Sequence, residues 1–327
     1  MEDHPLIMEA LLAYAGGNLA RTHDICVKLI QDQVGGTLPI DLLHKCRVEH
    51  HQAIQSRNSS HDFWKFKAIG QTALNTLLLS PQFEHPRLER HGSSSFSQAD
   101  DDGIIAEIFR RIGHGNKIFF EFGRGGDTGN SVSLFTQGWT GVWLDGDDGN
   151  TARIRADFAK DIERGTVKVG TELVTAENIN ELTAKYELPE MIDLVSIDID
   201  GNDYYVVEAM NLKARVLVVE YNARFQPPAR VVQKYHKDFY WKHGGPFVGA
   251  SLQSFTDLCN KKGMTLVGTS ISGTNAYFVS SELVGDKFPM PATADHLWNP
   301  PRYNLIFSGA WYSGHQTDFT LAEIERP

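Results

Sequence analysis

The chain is poor in several features that would assign it to a class directly. Its three cysteines, Cys26, Cys46 and Cys259, are far apart, odd in number and without CxxC spacing. That argues against a disulfide framework or a cysteine metal cluster, and reduced thiols in a cytoplasmic protein are the expectation. Basic residues form no run longer than Lys261–Lys262 and the formal charge is −10, so the wide basic footprint of a nucleic-acid binder is missing. No window approaches the ~20 apolar residues of a membrane span. The first residues, MEDHPLIMEALLAY, place two acids before an apolar stretch that breaks at Gly16–Gly17, unlike the basic start of a signal peptide. No internal repeat is visible. What remains is a chain of 327 residues with 41% apolar and 10% aromatic residues, enough to bury a substantial core and to hold one large domain or two ordinary ones.

The informative stretch is KIFFEFGRGGDTGN, residues 117–130. Ile118, Phe119, Phe120 and Phe122, broken only by Glu121, lead into Gly123, Gly125 and Gly126 and then into a helical pattern. An apolar run of strand length that ends in glycines before a helix predicts a buried parallel strand turning over a ligand. Glycine suits that turn because positive φ costs it nothing and a missing Cβ lets a ligand approach the backbone.

Around this stretch the chain divides in three. Residues 1–90 read as amphipathic helices, for example Ile25, Cys26, Leu29 and Ile30 on one face, forming a helical cap or dimerisation domain through which the chain would pair as a homodimer. A Pro, Gly and Ser-rich linker, PQFEHPRLERHGSSSFS, closes that part. Residues 91–284 alternate helix and strand, with strands at 118–122, 141–144, 166–174, 192–200 and 214–222 and two late strands, MTLVGT and NAYFVS. Such alternation predicts an α/β domain with a doubly wound, mostly parallel seven-stranded sheet. Residues 285–327 carry five of the thirteen prolines and little period, which predicts an irregular wrap or tail.

The loop Gly123-Arg124-Gly125-Gly126 lacks the third glycine of a dinucleotide fingerprint and is weak by itself. Asp145, in WLDGD at the end of the second strand, strengthens it, because an acid there can accept from both ribose hydroxyls of a nucleoside. The competing reading of DGDDG is an exposed turn.

The series SQADDDGIIAEIFRRIG, FFEFGRGGDTGN, GWTGVWLDGD, TAENIN, DLVSIDIDGNDY, VVEYN, FVGASL and GTNAYFV, in that order, resembles the S-adenosylmethionine-dependent methyltransferases of the FkbM type over residues 96–283. The resemblance implies a class I methyltransferase fold, S-adenosylmethionine as cofactor, Glu121, Gly123 and Gly125 at its methionine end, Asp145 at the ribose, and Glu177 and Asn178 near the adenine. Related loops often carry a small residue where this chain has Arg124.

A second site is IDIDGNDY with VVEYN. Asp198 and Asp200 at one strand end, and Glu220 and Asn222 at the next, would open onto one crevice, with each pair on one face by the period of two. Three carboxylates and an amide oxygen suit Mg²⁺ or Mn²⁺. The layout is similar to the DADxxNY and YDN motifs of cation-dependent catechol and caffeoyl-CoA O-methyltransferases. On that likeness Asp198 matches the first metal aspartate and Asn222 the last asparagine, Glu220 is displaced by one position, and Gly201 stands where that family has lysine. The metal set is therefore Asp198, Glu220 and Asn222, against the plain alternative that Asp200, Gly201 and Asn202 form a turn capping the next helix. Asp198 is also a catalytic candidate. His243, before Gly244–Gly245, is the candidate general base, and His236 reads as a surface residue. Phe239, Tyr240 and Trp241 would stack on a ring or pack internally.

The expectation from all this is an O-methyltransferase acting on a sugar or other polyhydroxylated small molecule. N-methylation of an amine or protein side chain, and a noncatalytic scaffold, are the alternatives.

Overall fold

In the computed structural model the described residues are 76–126, 128–237, 239 and 249–302, with Leu6, Ile25, Cys26, Lys28, Leu29 and the backbone of Ile324 and Glu325. The chain divides into two compact units, residues 1–85 with 302–316 and residues 86–301 with 317–327. In the first unit, Ile25, Cys26 and Leu29 are buried and Lys28 exposed, the one-sided burial their helical spacing predicts. The rest of the expected N-terminal helical pattern, and His243, Tyr240 and Trp241, lie outside the described residues.

The second unit holds the α/β domain. Its elements are α1 (Asp101–Ile112), β1 (Ile118–Phe122), α2 (Val132–Thr136), β2 (Thr140–Asp145), α3 (Asp148–Asp157), α4 (Ala159–Glu163), β3 (Val167–Thr171), α5 (Ile179–Lys185), β4 (Met191–Ile197), α6 (Asp203–Ala209), β5 (Lys213–Glu220), β6 (Val232–Gln233), α7 (Leu252–Lys261), β7 (Met264–Thr269), β8 (Asn275–Ser280), α8 (Ser281–Val284), α9 (Ala294–Leu297) and β9 (Ile324–Glu325). Seven strands form one sheet in the order β3-β2-β1-β4-β5-β8-β7. The first five are parallel, and β8 runs antiparallel between β5 and β7.

Alternation along the strands explains the layering. Phe120, Phe122, Val142 and Leu144 point to a core covered by α5, α6, α7 and α9. Phe119, Trp143, Leu194 and Val216 point to the opposite core, under α1, α2 and α3. With both faces covered, the strands read as near-continuous apolar runs. Asp193, fully buried, accepts from the amides of Gly115 (2.8 Å) and Lys117 (2.7 Å) and pairs with Arg215 (3.1 Å), pinning the end of the sheet away from the glycine loop. No helix among the described residues is long and apolar enough to cross a membrane.

Three boundaries differ from expectation. The helices α3 and α4 fill a stretch the sequence leaves as turn and connection, because only Thr151 and Ile154 of α3 are buried and no apolar period marks it. Residues 285–301, expected as an irregular wrap or tail, carry the short helix α9 and are packed down: Ala294, Leu297 and Asn299 are buried, and the Thr269 hydroxyl donates to Leu297 O at 2.7 Å. The fourth strand ends at Ile197, so Asp198 and Asp200 lie on the loop beyond it.

Candidate cofactor and acceptor site

Gly123, Gly125, Asp145, Asp198 and Glu220 stand at or beyond the carboxyl ends of β1, β2, β4 and β5. After β1, Gly123 has φ +72°, and a Cβ there would lie 1.5 Å from the Asp198 carbonyl oxygen. Glycine is therefore required because the chain leaving β4 crosses directly over it. Gly125, with φ +70°, has open space around its Cβ direction, and its amide donates to Asp145 Oδ2 at 2.8 Å. Of the two glycines, Gly125 is the one placed to admit a ligand against the backbone.

Glu121 is 3% exposed. Its Oε1 accepts from the Asn130 amide at 2.6 Å, and its Oε2 accepts from the Ser131 amide at 3.1 Å and from the Ser131 hydroxyl. Trp143 Nε1 in turn donates to Ser131 Oγ at 2.8 Å, and Asn130 Nδ2 to Ser196 Oγ at 3.1 Å. Burial raises the pKa of the Glu121 carboxyl, and the Arg124 charge opposes that shift. The Arg124 guanidinium lies 4.5 Å from the Trp143 ring centre and 5.5 Å from that of Phe158. Arg124 thus has a place: stacked on Trp143 beneath the loop, with its charge felt by Glu121. Both Glu121 oxygens serve the loop's shape.

Asp145 is 7% exposed at the end of β2. Besides the Gly125 amide it accepts from Asp147 N at 2.8 Å and Asn150 Nδ2 at 3.2 Å. A carboxylate has about four acceptor directions, so roughly one is left for a ribose hydroxyl, and the long Asn150 contact is the natural one to yield to a second. The next loop lies alongside: Glu172 N donates to Asp145 O at 2.9 Å, and a Cβ at Gly146 would meet Leu173 Cδ1 at 3.5 Å. Asn178 folds that loop, its Oδ1 accepting from Thr175 N (2.8 Å) and its Nδ2 donating to Leu173 O (2.8 Å). Glu177 is exposed, and its Oε2 accepts from the Tyr235 hydroxyl at 2.5 Å.

Across the edge, Asp198, Asp200 and Glu220 bring one carboxylate oxygen each to within 4.8 Å of one another. Asp200 holds φ +59°, a left-handed turn rather than a continued strand, so it reaches the cluster by loop geometry and not by the period of two. Asp203 stabilises that turn by accepting from Ile199 N and Gly201 N, both at 2.9 Å. Asp198 and Glu220 share a hydrogen bond, and burial together with repulsion from neighbouring acids pushes both well above the usual carboxylate range. Asp200 is pushed up to about 7 by the same causes. Without a cation such a cluster retains protons, and a cation would displace them. Asn222 is fully buried, with its Oδ1 accepting from Arg224 N at 3.1 Å. His236 contributes its carbonyl, which accepts from Asn202 Nδ2 at 2.8 Å.

Sequence reasoning missed Asp101. It is 1% exposed, Oδ1 accepts from Tyr277 Oη (2.6 Å) and Asn275 Nδ2 (2.7 Å), and its charge reaches Asp198. Asn275 is the register partner of Glu220, so the acidic wall continues across β5 and β8. Three successive aspartates at a helix start look like ordinary first-turn acids, and only the sheet pairing brings one of them here.

Neither a scan of protein-family models nor a search of curated proteins matches the chain. Solved structures do match at low identity. The N-terminal domain of EvdMO1 with SAH bound is 13% identical, with a TM-score of 0.36 over 55% of this chain and 79% of that one. The magnesium protoporphyrin IX methyltransferase ChlM from Synechocystis PCC 6803, with bound SAH, is 13% identical at a TM-score of 0.37 over 55% and 81%. The bifunctional kinase-methyltransferase WbdD is 17% identical at 0.32 over 54% and 37%. The fold assignment rests on the strand order: five parallel strands followed by an antiparallel strand inserted before the edge define a class I methyltransferase fold.

Proposed function

We propose that the chain is an S-adenosylmethionine-dependent O-methyltransferase of the FkbM type, acting on a hydroxyl of a sugar or other polyhydroxylated small molecule with help from Mg²⁺ or Mn²⁺. One observation carries the reading. The open turn at Gly125, clasped by Asp145, lies on the same sheet edge as the carboxylates of Asp198, Asp200 and Glu220. A nucleoside-bearing cofactor fits the first part and a hydroxyl acceptor the second.

When bound, S-adenosylmethionine supplies an electrophilic methyl group. In this reading the Gly125 backbone leaves room for the cofactor's methionine end and Asp145 accepts from its ribose. With a cation bound, Asp198 and Glu220 would be ionised ligands, and the acceptor's hydroxyl proton would leave to solvent. Asp198, Asp200 and Glu220 would hold the divalent cation, which lowers the pKa of a hydroxyl placed on it. Calorimetry with S-adenosylhomocysteine tests the cofactor half: the wild type should bind it and Asp145→Ala should bind it at least tenfold more weakly. Tight binding of NAD⁺ with no binding of S-adenosylhomocysteine overturns the reading.

A second reading has its own support. The charged neighbours acting most strongly on Asp198 and Glu220 are acidic, a surrounding that attracts an ammonium directly. An amine acceptor, N-methylated without metal, would give turnover indifferent to EDTA.

A further inference from the structure

The segment Val232–Lys237 lies across the loop after β4. Tyr205 Oη donates to Gln233 O at 2.8 Å, Asn202 Nδ2 to His236 O at 2.8 Å, and the Tyr205 and Tyr235 rings stand 5.0 Å apart. These ties all lead to the start of α6. On its other side the segment reaches the β3–α5 loop through the Tyr235 hydroxyl, which donates to Glu177 Oε2 at 2.5 Å. That loop abuts the cofactor side of the edge, through Glu172 N on Asp145 O at 2.9 Å. Leu173 is 50% exposed, an apolar side chain beside Asp145 of the kind that a flat heterocycle would cover.

We propose that Tyr235 is a cofactor-retaining residue: its bond to Glu177 ties the strap Val232–Lys237 to the loop beside Asp145 and slows release of the adenosine end of a bound cofactor. This rests on the S-adenosylmethionine reading above. The strap is also held by Gln233 N on Gly249 O at 2.7 Å and by the Val232–Ala250 bridge, and its ties to α6 and to the β3–α5 loop are unequal. At α6 it is held by two hydrogen bonds and a ring contact, so losing Tyr235 Oη leaves it seated there. At the β3–α5 loop the tie is the Tyr235 hydroxyl, bonded to the Glu177 carboxylate at 2.5 Å, the length of a charge-assisted contact, and also to Ala176 and Thr175. The bond to Tyr235 holds the Glu177 carboxyl below its usual range, and burial first, with the Glu177 bond second, pushes the Tyr235 phenol up to about 12.

The test uses the full chain and radiolabelled S-adenosylhomocysteine, with release followed after an excess of unlabelled ligand. Tyr235→Phe should speed release roughly fivefold or more, the order expected for a lost charge-assisted hydrogen bond, with little change in thermal midpoint. Glu177→Ala should do the same, and the double variant should release no faster than either single one. Hydrogen exchange gives a second readout without ligand: amides of Gln233–Lys237 should exchange faster in Tyr235→Phe. A wild type that binds while Tyr235→Phe releases at the wild-type rate overturns the proposal and leaves the cofactor reading standing. A wild type that fails to bind overturns both.

Discussion

Gly123 and Gly125 both have positive φ, both sit in the loop after β1, and they should respond to alanine very differently. At Gly125 the added methyl meets open space, so the cost is the left-handed backbone alone, about 1–2 kcal/mol. At Gly123 the same backbone cost applies, and the methyl would stand 1.5 Å from Asp198 O and 2.4 Å from Asp198 C. Those are backbone atoms held by the Asp198 N to Phe122 O bond at 3.2 Å, so the end of β4 must move, at an overpacking cost of about 1–3 kcal/mol. Gly123→Ala should therefore lose about 2–5 kcal/mol, a large share of the ~5–15 kcal/mol that holds a domain together. Urea denaturation, read as a midpoint shift at constant slope, measures both. Calorimetry with S-adenosylhomocysteine adds the functional contrast: Gly125→Ala should weaken binding out of proportion to its small loss of stability. If the two variants are equally stable within about 0.5 kcal/mol, the crossing of β4 over Gly123 is not what demands glycine there.

Other consequences follow from the same contacts. Glu121→Gln places an amide NH₂ among the donors of Asn130 and Ser131 and leaves the Arg124 charge without its acid, at a cost of about 1–3 kcal/mol; an unchanged melting temperature would refute the loop-organising role. Asp100 is buried and pushed up to about 7 by burial first and Asp101 second, so the folded state holds its proton more tightly than the unfolded chain. Its contribution is then complete below the unfolded pKa of 3.8 and lost as pH rises through about 7. Asp100→Asn should therefore gain stability relative to the wild type between pH 4 and pH 8, and urea midpoints that stay parallel across that range would contradict this. Mn²⁺ titration followed by electron paramagnetic resonance should show a site weakened at least tenfold by Glu220→Gln, and turnover unaffected by EDTA would remove the metal from the mechanism.

Local chemistry made much of the domain legible. IFFEF, GVWL, DLVSI and RVLVV are strands because runs so apolar must be covered on both faces, and that requirement is written into each run separately. The helix Asp148–Asp157 escaped because its burial rests on two side chains and its start is a cluster of turn residues. Asp200 reaches the acidic cluster through a left-handed turn beyond Ile197, which a period of two along the strand does not foresee.

By itself the sequence determined which segments are strands and that glycines and acids would gather where those strands end, because apolar runs, turn residues and their order are properties of neighbours along the chain. It could not decide which partner each polar group takes. That Ser131 and Trp143 complete the Glu121 network, that Asn275 stands opposite Glu220, and that Tyr235 closes on Glu177 58 residues away depend on strand order and register. Those are set only when the whole sheet buries its two faces at once, so the work of each acid, and of Arg124, became readable only in three dimensions.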